Sequence, residues 1–293
     1  VITRWLFEPV PRARVAVFRS LVYLFVAADL LWFTPWAHGH PGAAGALYRP
    51  LFVARLLHLP HPTPTLVTAL FWTLLAVSLV AASGRLPRAA GWPVFVLYLG
   101  WMLAAMGYGK VDHDRFGLLV ALAALPAAGP ARHGDRTPTQ AGGWALRVTQ
   151  LACVATYFLS AWAKLRFGGP EWLTSATLTR AVLRRGTWLA AGLPSVPGLM
   201  VASQFGIMAF ELASPLVFLL PARRRLAAVI GFYLFHAVVF AALTISFAPH
   251  LVALASFLPL ERVPPRRHAS RAAPRPEQGT VAGGIPEEPV APA

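Results

Sequence analysis

Long, unbroken apolar blocks constrain this chain more than any other feature. A bilayer-spanning helix needs about 20 mainly apolar residues. Eight segments approach or meet that length, at about residues 15–36, 64–83, 91–109, 114–129, 144–164, 198–220, 226–245 and 247–260. Backbone groups in hydrocarbon must pair within their own segment or within a closed barrel. The blocks are continuous rather than alternating, so helix is the expected state. Composition agrees: 57% of residues are hydrophobic and 13% charged, about half the usual charged share of a soluble domain. The expected fold class is therefore all-α, a polytopic transmembrane bundle of about eight spans occupying residues 1–261.

The connecting segments carry the rest of the topology. With eight spans both termini share a side, and fifteen arginines fall on that side against seven basic residues on the other. Basic loops stay in the cytoplasm, so both termini are expected there, in a multi-pass protein of the cell membrane. The first block lacks a small-residue cleavage site and reads as a retained span. Residues 165–197 interleave Trp172, Leu178, Val182 and Trp188 with Arg180, Arg184 and Arg185, the pattern of a helix lying in the interface. Residues 262–293 are rich in Pro, Ala, Arg and Glu without periodicity and read as a disordered tail.

The net charge of +15 in a soluble chain would suggest nucleic acid. Here the arginines sit between apolar blocks and no nucleic-acid motif accompanies them, so the expected partner is the lipid bilayer and its anionic headgroups. The single cysteine, Cys153, excludes an internal disulfide, a CxxC pair and a cysteine-based zinc site. His38, His40, His58 and His61 share one loop, yet no metal-ligand spacing such as HExxH is present, and no metal is expected. No Walker loop, GxGxxG or GxSxG occurs. Nucleotide binding and serine hydrolysis lack support.

Ionisable groups within apolar spans are costly and mark functional candidates. They are Asp29, Asp112, His113, Asp114, Arg115, Lys164, Glu211, His236 and His250. Lys164 is one of two lysines in a chain whose basic positions are otherwise arginine. A buried lysine can lose its proton and act as a base. A lysine at a span end can equally snorkel to the interface. Glu211, in mid-span, must be neutral or paired, either structurally with Lys164 or an arginine, or as a proton shuttle. Asp29 carries the same two readings. His236 is either a hydrogen bond between helices or a site residue. His113 stands between Asp112 and Asp114, where the aspartates also fit a helix cap.

Residues 157–172 read Tyr-Phe-Leu-Ser-Ala-Trp-Ala-Lys-Leu-Arg-Phe-Gly-Gly-Pro-Glu-Trp. An aromatic span end, a Lys-Leu pair and a short polar step to Trp resemble the HTTM family. That family is the membrane domain of vitamin K-dependent γ-glutamyl carboxylases and their bacterial relatives. Residues 14–32, 112–119 and 204–259 fit the same family in the same order, so the resemblance covers about residues 10–260. In the carboxylases a lysine deprotonates vitamin K hydroquinone. Oxygenation then yields a base that removes a glutamate γ-proton before carbon dioxide adds. The resemblance implies that Lys164 is the base, with His113, His236 and Glu211 as further catalytic residues and Tyr157 and Trp172 against the cofactor. The cofactor implied is vitamin K hydroquinone or menaquinol. The carboxylases also carry a large extramembrane region, whereas residues 262–293 follow here. The resemblance therefore implies the fold and a quinone pocket most directly. Two other expectations stand beside the enzyme: a non-catalytic subunit passing quinone or electrons to a redox partner protein, and a permease.

Overall fold

The computed structural model describes residues 2–43, 45–109 and 111–264. The tail expected from composition lies almost wholly outside the described residues. The chain is built of helices, joined by one two-residue antiparallel pair, β1 (Val10–Pro11) with β2 (Pro138–Thr139). In chain order the α-helices are α1 (Ile2–Leu6), α2 (Arg12–Ala28), α3 (Phe52–Leu56), α4 (Pro64–Ala82), α5 (Gly91–Met106), α6 (Phe116–Ala124), α7 (Gln140–Gly168), α8 (Glu171–Thr174), α9 (Thr177–Arg185), α10 (Pro197–Ala213), α11 (Ala222–Leu243) and α12 (Ala248–Leu254). The two-residue pair fixes the start of α2 beside the start of α7, and Arg14 donates two bonds of 2.7 Å to Glu261. Those bonds hold the Glu261 carboxyl below its usual range.

Among the described residues, four helical stretches are long and apolar enough to cross a bilayer: Arg12–Phe33, Pro64–Ala82, Pro197–Leu219 and Ala222–Leu243. Gly91–Met106 and Ala248–Phe257 are shorter apolar helices. The apolar blocks of the sequence thus resolve into unequal pieces rather than eight uniform rods. The first block ends in a π-helical turn at Asp29–Phe33, and the sixth ends in a 3-10 stretch at Ser214–Leu219. The fifth runs four residues past Lys164 and stops at Gly169, whose φ of 66° suits a residue without a Cβ.

Each long helix divides into two apolar faces. On α4, Val67, Phe71, Leu74, Ser78 and Ala81 recur every three or four residues and are buried. Leu66, Trp72, Leu79 and Val80 on the other face are exposed. The same split leaves Ile230, Leu234, Val238 and Phe240 of α11 uncovered. A surface this apolar and this continuous suits hydrocarbon rather than water. The chain has the build of an integral membrane protein.

The main core gathers α2, α4, α5, α6 and the first half of α7 around Phe18, Tyr23, Trp101, Leu118 and Leu122. Within it lies a buried ion pair. Arg115 Nη1 donates to both oxygens of Asp29, at 2.7 and 2.6 Å, and to Tyr98 Oη at 2.9 Å. Tyr98 in turn donates to Asp29 at 2.9 Å. Trp101 donates to Thr34, which donates to the Asp29 carbonyl. Of the two readings of Asp29, the structural one describes these contacts.

Helix α6 meets α7 and α12 at a glycine. A Cβ on Gly117 would stand 2.9 Å from Cys153 Sγ and 3.1 Å from Ala253 Cβ. Small residues let membrane helices approach closely. Gly117→Leu is expected to cost about 1–3 kcal/mol through overpacking, read as a lowered melting temperature of the purified chain in detergent.

Candidate functional site

The site forms where the second half of α7 faces α10, α11 and α12. On α7 the buried stripe runs through Cys153, Tyr157 and Ala161, and Lys164 continues it at the next turn. Lys164 therefore looks into the bundle. On α10 the stripe is Met200, Gln204, Met208 and Glu211, and on α11 it is Val229, Phe232 and His236. Helices that are apolar all round place their few polar residues on the face that meets protein, where those residues can be satisfied.

Lys164 Nζ donates to both carboxylate oxygens of Glu211, each at 2.5 Å, and lies 5.1 Å from the centre of the Trp172 ring. Tyr157 Oη and His236 Nε2 share a hydrogen bond of 2.6 Å. The His236 and His250 rings are 5.3 Å apart, and His250 meets the Tyr157 ring edge-on at 4.8 Å. All of these residues and His113 line one cavity of about 300 Å³. The six residues that the resemblance assigns to the site, Lys164, His113, His236, Glu211, Tyr157 and Trp172, thus come together from distant parts of the chain. The histidines of residues 38–61 do not join them. His38 packs on Phe71 and Trp101, His40 on Trp36 and Tyr108, and His61 on Tyr48 and Tyr108.

Two further residues complete the site. His250 is 1% exposed, and neither of its ring nitrogens has a hydrogen-bond partner among the described residues. His236 Nδ1 is likewise without one. Buried polar atoms left unpaired cost about 1–3 kcal/mol each, so they mark places where something else supplies the bond. The sequence shows His250 as an ionisable residue in an apolar segment but gives no sign of its isolation. Gln204, fully buried, escapes notice because it carries no charge. Its Nε2 donates to the carbonyls of Trp172, Leu173 and Ser175, and its Oε1 accepts from Leu178 N. It fastens α8 and α9 over the cavity and so sets Trp172 beside Lys164.

Between α7 and α10, residues 165–197 hold two short helices, α8 and α9. On α9, Arg180, Arg184 and Arg185 are exposed, and Val182 is buried against Ala190, Met200 and Leu243. The apolar side of α9 thus packs in part on protein. Next to the cavity an apolar groove of about 620 Å³ runs between α10 and α11. Groove and cavity share Leu178, Ile207, Phe235, Val239 and Leu243.

Because its nitrogens are unpaired, His250→Leu is expected to hold or raise the melting temperature while weakening whatever the cavity binds. Differential scanning fluorimetry in detergent checks the first half, and a fall of several degrees would contradict it. No family model, no curated protein and no solved structure matches the chain.

Proposed function

We propose that this chain is an HTTM-type multi-pass membrane enzyme that binds a lipid-soluble quinol and uses Lys164 as its base. The single observation that carries the reading is the convergence of Lys164, Glu211, Tyr157, His236 and His250 on one apolar cavity that shares five wall residues with a groove of about 620 Å³. Pockets for small molecules combine apolar walls with a few placed polar groups. The donor set fits a quinol: unpaired imidazole nitrogens for ring oxygens, apolar walls for the ring, and a groove for an isoprenoid tail.

His250 and His236 Nδ1 would hold the ring oxygens, and the Tyr157–His236 bond fixes the orientation of one imidazole. When bound, a quinol supplies two electrons and two protons. Lys164 becomes a base once Glu211 has taken its proton, a transfer across a hydrogen bond already made. In this reading the eight apolar segments all lie within the bilayer, the shorter ones tilted, with α9 in the interface and both termini in the cytoplasm.

The test is oxygen-dependent turnover of a reduced isoprenoid naphthoquinone by the purified chain in lipid discs. Wild type is expected to turn over and Lys164→Ala is not. If folded wild type binds the quinone, read by quenching of its tryptophans, but does not turn it over, the chain is instead a subunit that hands quinone to a redox partner.

A further inference from the structure

A second polar cavity, remote from the first in its lining residues, holds about 400 Å³ among the second turn of α2, the end of α4 and residues 130–133. Arg19, Arg85, Arg132 and His133 line it together with Ser20 and Ser83. Arg19 is the unusual member. Its side chain is 1% exposed, and Nη2 donates to the Gly129 carbonyl at 2.5 Å. Nε and Nη1 have no partner among the described residues. A guanidinium carries five N–H donors, and a buried charge without a counter-ion is costly. Other buried charges have theirs: Arg115 has Asp29, and Glu211 has Lys164. No Asp or Glu is among the lining residues here. The acid of that loop, Asp135, lies 3.9 Å from Arg12, and its charge also acts on Arg132. Arg88 adds a further positive charge, its Nη2 3.7 Å from where a Cβ on Gly129 would stand.

We propose that this cavity is an anion site for a phosphate group, with Arg19 at its floor and Arg85 and Arg132 at its mouth. Arginine's planar fork matches phosphate oxygens in pairs. Topology alone explains arginines in the loops, because basic loops fix orientation. It does not explain Arg19, which stands inside the helix bundle where orientation signals do not act. The positive φ of Gly84 and Gly129, 70° each, allows both loops to turn back over the end of α2 and bring the charges together. The phosphate belongs either to the headgroup of an anionic lipid or to a free anion.

Thermal unfolding of the lipid-depleted full chain in neutral detergent separates these. One arm adds phosphatidylglycerol against phosphatidylcholine, and the other adds inorganic phosphate against chloride at equal ionic strength. At least one probe is expected to raise the melting temperature of wild type. In Arg85→Gln and Arg132→Gln, whose parent residues are exposed, the half-maximal concentration is expected to rise about tenfold or more. Arg19→Met is expected to abolish the effect. A shift with phosphatidylglycerol alone assigns the site to a lipid headgroup, and a shift with phosphate assigns it to a free anion. No shift with either probe, or the same shift in the Arg85→Gln/Arg132→Gln double variant, overturns the proposal.

Discussion

Asp29→Ala is expected to lower stability by about 3–5 kcal/mol, the largest single-residue loss in the bundle. Arg115 is 5% exposed and takes its charge compensation from Asp29, with Tyr98 sharing the contact. Removing the carboxylate leaves a buried guanidinium with only Asp112, 4.0 Å from its Nε, and the nearby charge of Asp114 to offset it. The penalty is the cost of the orphaned charge more than the value of the lost bond. For that reason Asp29→Leu combined with Arg115→Met is expected to recover most of the stability, because an apolar pair replaces an ion pair at little net cost. Unfolding in a graded series of denaturing detergent measures both. A loss under about 1 kcal/mol in Asp29→Ala would mean that Arg115 finds another partner. The effect should also reach the site, since Arg115 ends the 3-10 turn His113–Arg115.

Lys164→Arg is expected to cut quinol turnover by about 10²- to 10⁴-fold, the usual worth of a general base, while quinone binding persists. Arginine keeps the positive charge and can keep the contact with Glu211, but it does not release its proton at working pH. The substitution therefore isolates proton transfer from ion pairing. Glu211→Gln makes the complementary cut. It retains a hydrogen-bonding side chain beside Lys164 but removes the acceptor for its proton. Its loss should be recovered in part at higher pH, where the lysine gives its proton to solvent instead. Single-turnover kinetics, with binding measured separately, decide the matter. Full turnover in Lys164→Arg would end the base reading and leave the pair as a structural contact.

The apolar blocks made the helical class legible, because only helices suit stretches that long. The ionisable residues within them were legible for the same reason, and Asp29, Arg115, Lys164 and Glu211 all stand out by charge alone. Pairing was legible only as alternatives, Lys164 or an arginine for Glu211. A helix that is apolar all round shows no polar face, so the sequence does not reveal that Lys164 turns inward or that Asp29 meets Arg115 rather than a lysine. Span ends were blurred where the helix changes pitch, as at Asp29–Phe33 and Ser214–Leu219. Arg19 read as one of several charges opening the first span, and nothing local distinguished it from Arg12 or Arg14. Its isolation exists only once α2 is packed.

Gln204 gives the cavity a clock. One carboxamide, reaching three carbonyls and one amide, holds the short helices α8 and α9 across the opening. Those helices bury little of their own surface, so they belong to the part of the molecule that opens without the bundle coming apart. Gln204 and the buried Val182 together hold these helices in place, and exchange of the Leu178 amide hydrogen should report how often the Gln204 tie breaks.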